Sequence, residues 1–171
     1  MNYSKTVYLA VSLTASILSS PWVHADDSLV TFKSMSPATA LELAQATLAS
    51  CSAQGYQVSV AVVDRMGIAQ VMLRDRYAGP HTPDTARRKA WTAVSFRSDT
   101  LSLAKNTGSD SAQSGARHIS GALLLGGGVP VMASGSIVGG VGVSGAPSGQ
   151  ADHSCAQKGV SAMVAKLELA D

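Results

Sequence analysis

Apolar residues recur along this chain with two different periods. Leu41, Ala44, Leu48 and Cys51 follow one another at helical spacing and give one apolar face. Ser36-Pro37 opens that helix, because serine can cap and proline is tolerated at the first helical position. Gly55 closes it, at a place where positive φ is usual. Val58 to Val63 is an apolar, β-branched run, Asp64-Arg65-Met66-Gly67 is a turn, and Ile68 to Leu73 is the return strand of a hairpin. Asp64 and Asp75 flank this hairpin as turn residues. A polar loop with Gly79-Pro80 leads to Thr82-Pro83, which repeats the cap-then-proline pattern. The second helix runs from Pro83 to about Phe96 with Ala86, Ala90, Ala93 and Val94 as its buried stripe.

Thr100 to Ile119 is less regular, with a short helix suggested at Leu101-Ser102-Leu103 and a Ser, Gly, Asp and Asn-rich loop after it. Leu123-Leu124-Leu125 then meets the triplet Gly126-Gly127-Gly128. Val129 to Ser134, a Gly135-Ser136 turn and Ile137 to Gly145 read as a second hairpin, with glycine supplying positive φ at the first central position. Glycines inside a strand, here Gly139, Gly140 and Gly142, mark a bulge or a close approach of another backbone or a ligand. The triplet is either a tight turn feeding a core hairpin or a set of N–H groups facing an anion. No Gly-Lys-Ser/Thr follows it, so it is not a P-loop. The last helix runs from about Gln150 to Leu169, with Ala156, Val160, Met163, Val164 and Leu167 on one face and Gly159 permitting close packing. Two hairpins and three helices cannot make an all-parallel sheet, so the class is α+β, an antiparallel sheet faced by helices.

The start of the chain reads differently. Lys5 gives a positive n-region, Val7 to Leu18 an apolar h-region, and Val23-His24-Ala25 a cleavage site before Asp26. Residues 1–25 are therefore expected to be a signal peptide, 26–35 a mobile arm, and 36–171 a single domain in the periplasm or outside the cell. The h-region is too short to span a membrane, and no other stretch could. The formal net charge is +2, which gives no bulk attraction to nucleic acid or membranes. The cations are nevertheless uneven: Arg65, Arg74, Arg76, Arg87, Arg88, Lys89 and Arg97 fall in one segment with only Asp75 and Asp84 among them. That excess suits a small anionic ligand; the plainer alternative is a solvated helix face.

Three histidines follow the leader: His81, His118 and His153. No pair has the spacing of a zinc helix, and the two cysteines lie far apart. His81 precedes the basic helix in a Gly79-Pro80-His81 loop, His118 reads as a loop or partly buried residue, and His153 as a surface residue of the last helix. No nucleophile elbow and no dinucleotide fingerprint is present. Residue types alone name no reaction.

Four ordered motifs carry a resemblance. Val58-Ser-Val-Ala-Val-Val-Asp64-Arg-Met-Gly67, Ala86-Arg-Arg-Lys-Ala90 with Thr92-Ala93, Gly126-Gly-Gly-Val-Pro130-Val and Val138-Gly-Gly-Val-Gly-Val-Ser-Gly-Ala146 together resemble the GlcG/HbpS family, which is related to the C-terminal domain of PduO-type proteins. The resemblance covers roughly Ser36 to Leu169. It implies a profilin-like fold with a five-stranded antiparallel sheet, the first and last helices on one face and the middle helix on the other. It also implies homo-oligomers and haem as ligand, with haem degradation or sensing in some members. Two other readings stand beside this one: an enzyme on a small organic acid or diol-derived metabolite, and a non-catalytic module that signals to a membrane sensor through its oligomeric surface. His81 would be the iron ligand by chemical type, Arg87 and Lys89 would take the propionates, and Gly126, Gly127 and Gly128 would let the backbone approach the ring. The segment after Ala146, Gln150-Ala-Asp152-His153-Ser-Cys155, is less acidic than is usual in the family. Because the resembled fold lays the first and last helices on one side, Cys51 and Cys155 could meet as a disulfide, the alternative being two separate buried thiols.

Overall fold

The structure is a computed structural model that describes residues 29–169; the expected leader lies outside the described residues. Four strands make one antiparallel sheet: β1 (Ser59–Asp64), β2 (Ala69–Arg74), β3 (Gly128–Ala133) and β4 (Ser136–Ser144), in the order β2-β1-β4-β3. The sheet is thus four-stranded, not five-stranded. Leu123 to Leu125 carry apolar side chains, but they approach β3 without strand pairing; Leu124 is buried and Leu125 is exposed. Ahead of the first helix, the Met35 N–H donates to the Val138 carbonyl at 3.1 Å, a single bond beside β4 beyond the point where β1 ends. Buried Met35 is therefore fixed at the end of the expected arm, and Gln70 Nε2 also donates to its carbonyl at 3.0 Å.

The hairpins differ in their turns. Asp64 Oδ1 accepts from the N–H groups of Met66 and Ile68, and Gly67 takes φ +82. In the second hairpin the central residues are Ser134 (φ 46) and Gly135 (φ 74), one position earlier than Gly135-Ser136. Two consecutive positive φ values make the primed turn that matches strand twist.

Helices α1 (Pro37–Ser52) and α4 (Gly149–Glu168) lie side by side on one face, and α2 (Thr82–Phe96) covers the other. A short helix α3 (Thr100–Asn106) and a 3-10 turn (Ser114–His118) follow α2. Ser36 and Ser148 cap α1 and α4 by accepting from Thr39 N and Ala151 N. At α2 the cap position is His81 without a side-chain bond. Thr82 is instead drawn inward, its hydroxyl 2.8 Å from Ser59 Oγ and 2.7 Å from the Gly79 carbonyl.

Strand alternation divides the residues between the faces. Val58, Val60 and Val62 of the first strand region, with Val141 and Val143 of β4, meet Leu43, Ala44, Ala156 and Met163 in the α1/α4 core. Cys51 and Cys155 form a disulfide there, with Cα atoms 5.3 Å apart, and Gly159 leaves room for the Thr47 side chain of α1. The opposite face of β4 presents Gly140 and Gly142. A Cβ at Gly142 would overlap the Ala86 carbonyl, and one at Gly140 would press on Val94 and the Ala90 carbonyl. Here the glycines bring a helix backbone down onto the sheet.

Candidate functional site

A cleft of about 760 Å³ opens at the N-terminal end of α2. Five segments build it. The turn after α1 supplies Tyr56, the loop after β2 supplies Tyr77, and α2 with its cap residue supplies His81, Thr85 and Arg88 from one face. Leu123 and Leu125 form an apolar side, and the link from β4 to α4 adds Ala146 and Pro147. Such a mixture of apolar wall and a few polar groups, at this size, is characteristic of small-molecule sites.

Lys89 and Asp152 meet at the base of the cleft. Lys89 Nζ lies 2.7 Å from Asp152 Oδ2 and donates to the Val143 carbonyl at 3.0 Å; Asp152 Oδ1 accepts from Ala146 N at 3.0 Å. The Lys89 side chain is only 1% exposed. Burial pushes the Lys89 ammonium below its ordinary value, opposed by the charge and hydrogen bond of Asp152. Burial likewise pushes the Asp152 carboxyl up, opposed by Lys89 and the Ala146 N–H. The close contact and the additional bonds on each partner offset part of that desolvation. The pair ties α2, α4 and the end of β4 into one rigid floor.

The glycine triplet is the saddle for that floor. Gly127 has φ +125, and a Cβ there would sit 3.0 Å from Lys89 Nζ and 2.8 Å from Asp152 Cβ. Gly126 leaves room for the Gly149 carbonyl, and Gly128 for the Lys89 carbonyl. Thr100 Oγ1 accepts from Gly128 N at 2.8 Å and donates to the Leu125 carbonyl at 2.7 Å. All three glycines are buried beneath the cleft and are not among its lining residues.

The candidates from the sequence therefore separate. His81 is exposed at the cleft rim, its ring packed over Gly79. Arg87 points away and pairs with Asp84 at 2.8 Å on the exposed side of α2. Lys89 reaches the cleft with its charge already matched by Asp152. Arg88 is the cation beside the cavity, anchored to the Ala122 carbonyl at 2.9 Å. Neither Arg88 nor Asp152 was singled out by residue type. Position would have found Asp152: it stands four residues before Ala156 on the buried stripe of α4. His153, expected at the surface, is buried instead; its Nδ1 has no hydrogen-bond partner and lies 3.8 Å from Asp99 Oδ1. His118 is exposed in the 3-10 turn. Among the described residues no group of three or more His, Cys, Asp or Glu is placed to hold a metal ion.

Comparison with known proteins adds to this geometry. The family model described as "Haem degrading protein HbpS-like" matches residues 35–161. A double mutant of HbpS from Streptomyces reticuli is 36% identical, with 92% of this chain and 99% of that chain covered and a TM-score of 0.74. A second HbpS structure is 40% identical over 80% of this chain and 94% of that chain, with a TM-score of 0.74. The structure of a PduOC–haem complex is 29% identical over 75% of this chain and 94% of that chain, with a TM-score of 0.70. Nothing matches among the curated proteins.

Proposed function

The chain belongs to the HbpS-like family, and from that premise we propose that it binds haem in the cleft at the N-terminal end of α2. The observation that carries the reading is the convergence of His81, Arg88 and an apolar wall on one cleft, in a chain similar to a protein solved with haem. The residues fit the group. Leu123, Leu125, Ala146 and Pro147 would cover porphyrin surface, with Tyr56 and Tyr77 beside them. His81 would ligate the iron; its ring makes no hydrogen bond among the described residues. Arg88 would hold a propionate, since a guanidinium can bind a carboxylate through two N–H groups. Lys89 would keep the floor rigid with Asp152. Bound haem would supply a redox-active iron whose reactivity depends on its axial ligand.

Export to the periplasm or beyond is part of the same proposal. The leader-like start of the sequence and the Cys51–Cys155 disulfide support it, because disulfides persist in oxidising compartments. A homo-oligomer that degrades haem or reports it to a membrane sensor completes the reading. No helix among the described residues is long and apolar enough to cross a membrane.

Hemin titration tests the proposal. A saturable Soret shift is expected, with its position altered in His81→Ala. Arg88→Ala should weaken binding about tenfold or more, equivalent to about 1.4 kcal/mol, and Arg87→Ala should leave it unchanged. The absence of a saturable Soret change would overturn the reading. Adding peroxide to the complex separates carriage from degradation: loss of the Soret band with iron release marks degradation.

A further inference from the structure

Of the basic-segment arginines that lie outside the cleft, two share a second groove. Arg65 follows β1, and Arg97 follows the last residue of α2. Both lie at the end of α2 remote from His81, about 22 Å away for a 15-residue helix rising 1.5 Å per residue. With Met132, Gly135, Ser136 and Ile137 they line a groove of about 410 Å³.

The groove is cationic and carries no carboxylate among its lining residues. Asp64, next to Arg65, spends Oδ1 on the N–H groups of Met66 and Ile68, and Asp99, two residues after Arg97, accepts from Ser102 N. Arg65 is held on two sides, its Nη1 donating to the Ile137 carbonyl at 3.4 Å and its guanidinium 5.0 Å from the Phe32 ring centroid. That fixes the fork while leaving most of its five N–H donors unspent. Arg97 forms no ion pair among the described residues.

The backbone carries the second observation. Arg97 has φ 53 and ψ 36, in the left-handed position after a helix where glycine is the usual residue. Ser134, beside the Gly135 rim, has φ 46. These are the two non-glycine residues with positive φ among the described residues, and both flank this groove. Strain of this kind tends to collect at binding sites. An arginine held there keeps a long cation at the groove, which glycine would not.

We propose that this groove is a second small-molecule site, distinct from the cleft, which recognises an oxyanion group, carboxylate or phosphate, through Arg65 and Arg97. An apolar portion of the ligand would lie against Met132 and Ile137. The C-terminus of α2 opposes an anion with about half an elementary charge, against two full positive charges.

Calorimetric titration of the protein with succinate and with inorganic phosphate, against sodium chloride at matched ionic strength, tests the site. One of the two probes should bind with a Kd of about 1 mM or tighter. Arg97→Gly should weaken that binding at least about tenfold while leaving the thermal midpoint equal or higher, because glycine suits the observed φ. Arg65→Gln should weaken it similarly, Arg97→Lys should restore part of it, and hemin affinity should be unchanged in all three. The probe that binds identifies the oxyanion as carboxylate or phosphate. Failure of both probes to exceed the chloride control overturns the proposal. So does binding that survives Arg97→Gly and Arg65→Gln, or loss that tracks a fall in hemin affinity.

Discussion

The two faces of the sheet are built on different principles. On the α1/α4 face, Val58, Val60, Val62, Val141 and Val143 project side chains into Leu43, Ala44, Ala156 and Met163, and a disulfide joins the helices. Each buried valine or leucine contributes about 1.5–3 kcal/mol there. On the α2 face the apolar cluster shrinks to Val63, Ala90 and Val94, and Gly140 and Gly142 stand where side chains would be. That face brings backbones together and buries polar groups: Ser59 against Thr82, Thr100 among the loop carbonyls, and Lys89 against Asp152. One face supplies stability through volume. The other supplies position, and the cleft lies on it.

Breaking the ion pair should have the largest effect. Asp152→Ala leaves a buried ammonium without its counter-charge and should cost about 3–5 kcal/mol in urea unfolding. The double variant Lys89→Met with Asp152→Leu should recover much of that loss, because well-packed apolar residues can replace a buried pair. It should still weaken hemin binding if the pair serves position. Full hemin affinity in the double variant would make the pair dispensable to the site.

The disulfide probes the other face. Cys51 and Cys155 are 104 residues apart, and their replacement by Ser should cost about 2–5 kcal/mol. The same sheet and the same hemin spectrum are expected after that loss, since the bridge lies in the α1/α4 core. A smaller cost is expected for Gly142→Ala, about 1–3 kcal/mol as α2 is pushed off β4. Unlike the disulfide variant, this one should also weaken hemin binding, because α2 carries His81 and Arg88.

These contrasts explain what could be read in the sequence. The α1/α4 face is written in side chains, so helical and strand periods gave α1, β1, β2 and α4 to within a residue or two. The two proline-bearing starts were visible as well. At Thr82 the pattern misled, because its hydroxyl faces Ser59 rather than capping the helix. The α2 face is written partly in absences. Gly142 signals a close approach without saying that Ala86 is what approaches. Lys89 read as one of three successive cations, yet it lies three residues after Ala86 and four before Ala93, on their buried stripe. Its partner Asp152 stands 63 residues later, a pairing that no local pattern contains. The fifth strand came from the resemblance; the hairpin periods themselves account for four.

The smallest effect expected is a pH dependence confined to His153, the residue next to Asp152. His153 is buried against α3 rather than beneath the cleft, with Asp99 Oδ1 3.8 Å from its Nδ1. Burial pushes its imidazole below the ordinary histidine value; the Asp99 charge opposes this and Lys105 adds to it. As pH falls through about 6.5 the unfolded chain takes up a proton that the folded protein still refuses. The unfolded state then binds more protons, so stability falls with pH across the window from about 6.5 down to the lowered folded value. Asp99 acts elsewhere. Burial pushes its carboxyl up, but the Ser102 hydrogen bonds, the His153 charge and the Leu101 N–H outweigh burial and hold it low. Its contribution is complete above the ordinary carboxylate value of about 3.9 and is lost only as pH falls through the lower folded value. Asp152 works in the opposite sense, since a raised carboxyl favours the folded state as pH falls toward its ordinary value. Comparing the protein with His153→Gln cancels that term, because Lys89 and Ala146 still hold Asp152 in both. Between about pH 7.5 and about pH 5 the urea midpoint should change more unfavourably in the unaltered protein than in His153→Gln. Equal changes in the two proteins would move the pH sensitivity away from His153.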